Sequence, residues 1–148
     1  NNAVFSKADI RHINFANCSL DHTEFENITT DTAKFVETSM KKTNLSASRL
    51  LNCVFTNADL EGAKMTGVSL ETTVFSGCNI KQADLSDAGF NKVLFHGCDF
   101  ENNILEKTAI RLCLFHGAEF SGTDFSCLDL TQCQFHESTL KNCFFKKQ

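Results

Sequence analysis

Apolar side chains recur along this chain at every fifth position. Every residue number divisible by five, from Phe5 to Phe145, is Phe, Leu, Ile or Met, except Thr30. Two residues before many of these centres lies a small side chain, as at Cys53 and Ala58. A helix would instead place apolar residues at i, i+3, i+4 and i+7, and an open-sheet strand would alternate. The period of five predicts a very short strand with two inward-facing residues, followed by a corner.

A second period of 20 residues is superimposed on the first. The centres at this spacing are all Phe in one column: Phe15, Phe35, Phe55, Phe75, Phe95, Phe115 and Phe135. One outward column alternates in the sign of its charge until Ser121 interrupts it: Asp21, Lys41, Glu61, Lys81, Glu101, Ser121 and Lys141. If 20 residues form one turn, each column stacks at a spacing of ~4.8 Å, and opposite charges pair between turns.

These periods predict an all-β fold, a right-handed quadrilateral parallel β-helix of about seven coils. The handedness follows from the strong right-handed bias of parallel β crossovers. Because the register is unbroken, we expect a single β-helix domain over residues 1–148 with no inserted loop. The chain opens on Asn1-Asn2 without an initiator Met, so we interpret it as a piece of a longer polypeptide.

Several units match a known repeat motif. The triplets Ala8-Asp9-Ile10, Ala58-Asp59-Leu60 and Ala83-Asp84-Leu85 fit the loose pattern A-(D/N)-L-x-x, and Cys78-Asn79-Ile80 and Cys98-Asp99-Phe100 are its Cys variant. On these residues the chain resembles the pentapeptide-repeat family over essentially its whole length. The resemblance implies a four-sided right-handed β-helix. It leaves the activity open, because the family includes topoisomerase-protecting proteins and modules of secreted bacterial effectors, and fold does not decide function.

Composition and charge exclude several classes of protein. Fourteen basic against 18 acidic residues give a net charge of −4, which is too mild to indicate nucleic acid or a membrane surface as a direct partner. No apolar run approaches the ~20 residues that span a bilayer. The sequence contains no nucleophile–base pairing, Gly-rich phosphate loop or metal-ligand spacing, and filled inward positions leave no substrate cleft. We therefore predict no enzymatic activity, no catalytic residue, no metal site and no cofactor.

Seven of the eight Cys lie in the small inward column. Disulfides or zinc are an alternative, because Cys78 and Cys98, and likewise Cys113 and Cys133, would be neighbours in adjacent turns. We favour reduced Cys acting as a small hydrophobe. That interpretation predicts a reducing compartment, either the cytoplasm or a host cytosol if the chain belongs to a secreted effector. Cys127 lies at a corner and is the thiol expected to react readily.

His96, His116 and His136 form one outward column. Stacked imidazoles can bind a metal ion or respond to pH. However, parallel side chains point alike, and no carboxylate or Cys column obviously completes a site. We therefore favour an exposed polar corner over a metal site.

A run of apolar residues forms the candidate binding surface. Val54, Val74, Leu94 and Leu114 each precede a Phe centre, a position expected to face solvent, and Leu112 and Leu51 flank them. Contiguous exposed apolar surface usually marks an interaction site, although such residues could also be simply tolerated there. We predict a rigid, non-catalytic interaction scaffold that docks a protein partner or an adjacent domain, as in a bacterial effector. End-to-end or face-to-face self-association is an open alternative.

The alternative function is mimicry of DNA, with binding to DNA gyrase or topoisomerase IV and protection from fluoroquinolones, as the family resemblance implies. Its candidate acidic face is Asp59, Asp99 and Glu119, with Glu61 and Glu101 beside them. The lysines Lys41, Lys81 and Lys141 are interleaved with these acids. Alternating charges are better suited to stabilising stacked turns than to imitating a phosphate backbone.

Overall fold

The computed structural model describes residues 2–146. Its strands are three residues long and pair in parallel. A seven-stranded sheet contains β1 (Asn14–Ala16), β3 (Lys34–Val36), β5 (Val54–Thr56), β7 (Val74–Ser76), β9 (Leu94–His96), β11 (Leu114–His116) and β13 (Gln134–His136). A five-stranded sheet contains β2 (Thr29–Asp31), β4 (Arg49–Leu51), β6 (Ser69–Glu71), β8 (Gly89–Asn91) and β10 (Ala109–Arg111). A two-stranded sheet pairs β12 (Glu119–Ser121) with β14 (Thr139–Lys141).

Partners in every sheet are 20 residues apart. Phe15 lies opposite Phe35, and the same register continues to Phe135. Parallel bridges form a ladder from Ser19 to Glu119, which β12 and β14 extend, and another ladder runs from Val4 to Ile104. The molecule is therefore a four-sided parallel β-helix of about six complete turns, which confirms the predicted fold and comes close to the predicted coil number. Within residues 2–146, no helix has the length and apolar character needed to span a membrane.

The interior is filled by the residues at every fifth position. Rings along the seven-stranded sheet stack nearly parallel, with centroids 4.6 Å apart between Phe55 and Phe75 and 5.0 Å apart between Phe75 and Phe95. Phe100 meets Phe95 edge-on at 5.0 Å from the adjoining face. Thr30, the exception to the apolar pattern, is fully buried and donates its hydroxyl to the Ile10 carbonyl at 2.9 Å, so its polar atom is satisfied inside the core.

The compact inward column explains why Cys, Ser and Thr replace Ala so often. A hydroxyl or thiol at this position reaches the carbonyl 23 residues earlier, as in Ser48 to Phe25 at 2.7 Å and Cys78 to Phe55 at 3.4 Å. The side chain thus fills a small space and also satisfies a buried carbonyl of the preceding turn. Cys, Ser and Thr in this column therefore serve the packing of the repeat.

Each corner places one residue in the left-handed conformation, two positions after a centre. From Lys7 to Asn142, only Cys127 and Gln132 among these corner positions lack a positive φ. Glycine relieves the steric cost of this conformation, and Gly77 is one example, at φ 64. A Cβ added to Gly77 would overlap Asn57 Oδ1, so the Asn57 side chain would have to move to accommodate any other residue.

The regular pairing is interrupted before the last turn. Among the described residues, Ile104 forms a bridge with Asp84 but none with Asp124, and β10 lacks a strand partner on its far side. Asn103, buried in the compact column, accepts from the Thr123 hydroxyl at 3.2 Å while its Nδ2 has no partner. A larger polar side chain in the small column therefore coincides with two faces where the last turn lacks backbone hydrogen bonds to the turn before it, although β13 and β14 keep it attached on the others.

Candidate functional site

The outer surface of the seven-stranded sheet carries two parallel columns of side chains. In each strand the central Phe points inward and the residues on either side point outward. Leu94 and His96 flank Phe95 in β9, and Leu114 and His116 flank its counterpart in β11. One column is apolar in the middle turns and the other contains the histidines.

The apolar stripe consists of Val54, Val74, Leu94 and Leu114, which the strand register places directly beside one another. The prediction that they share one continuous surface is confirmed. The position was expected to face solvent, and all four residues there are half-buried. Each lies between the side chains of the turns above and below, at the ~4.8 Å strand spacing, and these neighbours cover its flanks. Leu112, at the corner before β11, is 48% exposed.

The same outward position is polar or small on most of the other surface. On the five-stranded sheet the residues are Thr29, Arg49, Ser69, Gly89 and Ala109. On the third face they are Ser39, Asp59, Asn79, Asp99 and Glu119, and on the fourth face Glu24, Asn44, Lys64, Asp84 and Ile104. A run of four large apolar residues is therefore a property of one face and is not demanded by the fold.

The histidine column follows the same sheet on the other side of the Phe residues. The His96 and His116 rings stack with centroids 5.0 Å apart and 16° between planes, and His116 and His136 are 5.0 Å apart and tilted by 35°. His116 is half-buried, whereas His96 and His136 are exposed. The three imidazoles thus form the predicted exposed column.

Glu137 completes a cluster that the sequence analysis missed. Its Oε2 atom lies 3.6 Å from His116 Nε2, and its Oε1 atom lies 3.7 Å from His136 Nε2. No carboxylate column was expected to complete a site, and it is a single glutamate at the adjoining corner that approaches the histidines. A signal was available, because the triplets His-Gly-Cys and His-Gly-Ala at 96–98 and 116–118 become His-Glu-Ser at 136–138. The acidic side chain replaces glycine at the corner next to the column.

Charges of opposite sign pair between turns, as predicted. Lys41 Nζ lies 3.3 Å from Asp59 and 3.5 Å from Glu61, and the hydrogen bond to Asp59 contributes most to raising the pKa of Lys41. Asp21 accepts hydrogen bonds from the Ser39 hydroxyl at 2.6 Å and from the Lys41 amide at 2.8 Å. Burial alone would raise the pKa of Asp21, but these two hydrogen bonds outweigh it, so the pKa lies below its usual value.

The arrangement repeats two turns later and interrupts the acidic face. Lys81 Nζ lies 3.4 Å from Asp99 and 3.3 Å from Glu101. Glu119 is exposed on the same ladder as Asp99. The five predicted acidic residues therefore do share one region, but two lysines pair with four of them and offset half of the charge of those four.

The cysteines are free thiols, and most take part in packing. Cys98 donates to the Phe75 carbonyl at 3.4 Å. Burial raises the pKa of Cys113 to about 11, which disfavours the reactive thiolate. Cys127 is the exposed one, in agreement with its predicted corner position.

The sequence matches two profiles of known protein families. The family profile described as "Pentapeptide repeat region" matches residues 48–125, more than half of the chain, and "Pentapeptide repeats (8 copies)" matches residues 113–147. No curated protein matches the sequence.

Three solved structures illustrate the likeness. A trypsin-treated variant of QnrB1, a plasmid-mediated fluoroquinolone resistance protein, gives a TM-score of 0.53 at 14% identity, covering 100% of this chain and 81% of that one. HetL, a pentapeptide repeat protein involved in heterocyst differentiation regulation in the cyanobacterium Nostoc sp. strain PCC 7120, gives 0.29 at 17% identity, covering 93% and 87%. The pentapeptide repeat protein Rfr23 from the cyanobacterium Cyanothece 51142 gives 0.30 at 13% identity, covering 89% and 90%. At 14% identity the likeness to the QnrB1 variant concerns the fold alone. Because the family profile covers more than half of the chain and the four-sided repeat geometry accounts for its columns, the chain belongs to the pentapeptide repeat family.

Proposed function

We propose that this chain is a non-catalytic scaffold that docks a protein through the outer surface of its seven-stranded sheet. The observation that carries the proposal is the apolar stripe, four adjacent residues from Val54 to Leu114 on one outward column. The stripe is bounded by Lys34 in β3 and Gln134 in β13. An apolar surface with polar ends favours a partner of limited length, and contiguous apolar patches on soluble proteins commonly mark such contacts.

The dimensions of the stripe indicate the kind of partner segment. Three inter-strand steps of ~4.8 Å give a stripe about 14 Å long. An α-helix advances ~5.4 Å per turn, so the apolar side of an amphipathic helix of about three turns would match it. Such a helix could belong to a separate protein or to an adjoining domain of the same polypeptide. The solenoid would supply a preformed surface, which reduces the ordering cost of binding.

The filled interior supports a non-catalytic role. Phe, Leu and Cys side chains occupy the inward positions of the middle turns and are almost completely buried, as at Phe55, Leu60 and Cys78. An active site needs a concave, partly enclosed space in which polar groups converge. The described part of the chain instead offers repeated outward columns, whose geometry suits extended contact with a macromolecule.

Two variants that introduce a charge into the apolar stripe test the docking surface. We expect Leu94→Asp and Leu114→Asp to retain the circular dichroism spectrum and to lose proteins that the immobilised wild-type chain captures from its native host extract. Ser69→Asp, at the equivalent outward position of the five-stranded sheet, is the matched control and should retain them. Capture that is unaffected by either Leu variant would refute the proposal. Analytical ultracentrifugation of the same variants distinguishes docking of a partner from face-to-face self-association.

DNA mimicry is the second candidate, and the acidic column is the observation that favours it. Asp59, Asp99 and Glu119 lie on one ladder, and regularly spaced carboxylates could imitate phosphates. The close lysines Lys41 and Lys81 weigh against it, because they neutralise the column locally. A supercoiling assay with DNA gyrase, with and without a fluoroquinolone, separates the candidates. Protection that survives Leu94→Asp and is lost on neutralising the acids would support mimicry over docking through the stripe.

We further propose that the chain works in a reducing compartment, either the cytoplasm or a host cytosol. The packing of Cys78 and Cys98 as small inward residues that donate to the carbonyls of Phe55 and Phe75 supports this, because it requires free thiols, which persist in reducing compartments. Alkylation of thiols in intact cells, followed by mass spectrometry under denaturing conditions, tests the proposal. Recovery of Cys78 and Cys98 as a disulfide would contradict it.

A further inference from the structure

His116, His136 and Glu137 bring three metal-ligating groups together on the surface of the last two turns. His116 in β11 and His136 in β13 are register partners in adjacent strands. The carboxylate of Glu137 lies across both imidazoles, with contacts of 3.6 and 3.7 Å to the two Nε2 atoms. One ligand atom from each residue can be chosen so that all three lie within 4.8 Å of one another.

These separations are close to those of a coordination shell. Zinc binds imidazole nitrogen and carboxylate oxygen at ~2.0–2.1 Å, so neighbouring ligand atoms in a tetrahedron are ~3.3–3.4 Å apart. The two contacts of the Glu137 carboxylate, each made by a different oxygen, exceed this by only a few tenths of an ångström. With one ligand atom per residue, the three atoms lie within 4.8 Å of one another, so they must move closer together to bind one ion. His136 and Glu137 are exposed, so side-chain rotation can bring the ligands together without moving the backbone. Imidazole and carboxylate are also ligands that suit zinc chemically.

The neighbouring corners leave this space clear. Gly97 and Gly117 occupy the corner positions stacked before Glu137 and have no side chain to separate the carboxylate from His116. Their amides donate to the carbonyls of His116 and His136 at 2.8 Å, which fixes the strands that carry the histidines. Glycines, histidines and a single glutamate thus combine at one edge of the sheet.

We propose that His116, His136 and Glu137 form a surface binding site for a divalent transition metal ion of the zinc class. The protein supplies three ligands, and the remaining coordination position opens to solvent. The ion joins two adjacent turns. Its position is structurally significant because the last turn lacks backbone pairing at the Ile104 and β10 faces, so a metal bridge would add a link between that turn and the rest of the solenoid. The inference does not depend on the proposed docking function.

Calorimetric titration with zinc chloride tests the site directly. The chelator-treated chain is used in a Cys127→Ser background, which removes the exposed thiol as a competing ligand. We expect one saturable zinc ion per chain. His116→Ala and His136→Ala should abolish saturable binding, and the near-isosteric Glu137→Gln should weaken it at least tenfold. His22→Ala removes an exposed histidine elsewhere and should leave the affinity unchanged.

A second measurement keeps the test independent of stability changes in the variants. Hydrogen exchange of the β13 amides should slow on adding zinc to the parental chain and remain unaffected by zinc in Glu137→Gln, whose fold is checked by circular dichroism. The proposal would be overturned if the parental chain showed no saturable zinc binding. It would also be overturned if the His116 and His136 variants bound zinc with the same affinity as the parental chain. Binding retained by Glu137→Gln at full affinity would remove the carboxylate from the site and with it the three-ligand assignment.

Discussion

Replacing Phe75 with Ala tests whether the stacked rings hold the solenoid together. The Phe75 side chain is 1% exposed, and its ring stacks on Phe55 at 4.6 Å and on Phe95 at 5.0 Å. Truncating a buried Phe to Ala costs about 3–5 kcal/mol. The hydrogen-bonded strands on both sides hold their spacing and limit collapse around the cavity. We therefore expect a loss in unfolding free energy near the upper end of that range, about 4–5 kcal/mol.

A less buried ring on another face of the solenoid supplies the control. Phe5, in the first turn, is half-buried and is stacked on one neighbour, Phe25, at 5.0 Å. Less surface is buried and fewer contacts are lost there, so Phe5→Ala should cost about 1–2 kcal/mol. Phe75→Leu retains most of the apolar volume and should cost less than Phe75→Ala, since it removes the ring stacking while filling much of the space.

Urea unfolding followed by circular dichroism measures these differences. With an m-value of about 2 kcal/mol/M, a loss of about 4 kcal/mol lowers the midpoint by about 2 M. The same experiment on Phe5→Ala should give a shift of less than half that size. Equal shifts for Phe75→Ala and Phe5→Ala, or a loss below about 2 kcal/mol for Phe75→Ala, would refute the argument that stability is concentrated in the central stack.

Three further changes have defined outcomes. Gly77→Ala should cost more than about 1 kcal/mol in unfolding free energy, because its positive φ is strained for Ala and the new Cβ would meet Asn57 Oδ1. Gly97→Ala is the control: its new Cβ would have no contact within 4 Å, so it should cost less in the same urea experiment. Cys127 should be the first thiol modified by iodoacetamide, as determined by peptide mass spectrometry. Because the folded-state pKa of Asp21 lies below its ordinary value, Asp21→Asn should lose stability near pH 6, and the difference from wild type should shrink as the pH falls below about 3.8, measured by thermal unfolding at several pH values.

Periodicity was sufficient to predict the fold because each repeat unit makes the same two demands on its sequence. One inward position must fill the interior, and the other must be small enough for the corner to close. Thr30 meets the first demand although it is polar, because its volume fits the core and its hydroxyl donates a hydrogen bond to the Ile10 carbonyl. The 20-residue period then determines which side chains are neighbours, and for this reason the apolar stripe and the pairing of Lys41 with Glu61 could be predicted from the sequence alone.

The features that the sequence did not reveal depend on side-chain reach and on local failure of the repeat. The 20-residue period identifies contacts between residues 20 apart in the sequence. Glu137 lies 21 residues after His116, and its carboxylate reaches the His116 ring across a corner occupied by glycines. The missing pairing before the last turn likewise preserves the five-residue register, so it leaves no trace in the spacing of apolar residues. Asn103 in the compact column was the one sequence signal of this interruption, because its Nδ2 has no hydrogen-bond partner there.

The division between inward and outward positions also determines how function can be identified in this chain. Inward residues are constrained by the core and resemble each other in every turn, so they carry little information about a partner. Outward residues are free of that constraint, and most of the corresponding positions on the other faces are polar or small, as at Ser69 and Asn79. The fold does not require a half-buried apolar run from Val54 to Leu114, and the proposed docking of an apolar partner segment would account for its place, its length and its polar ends.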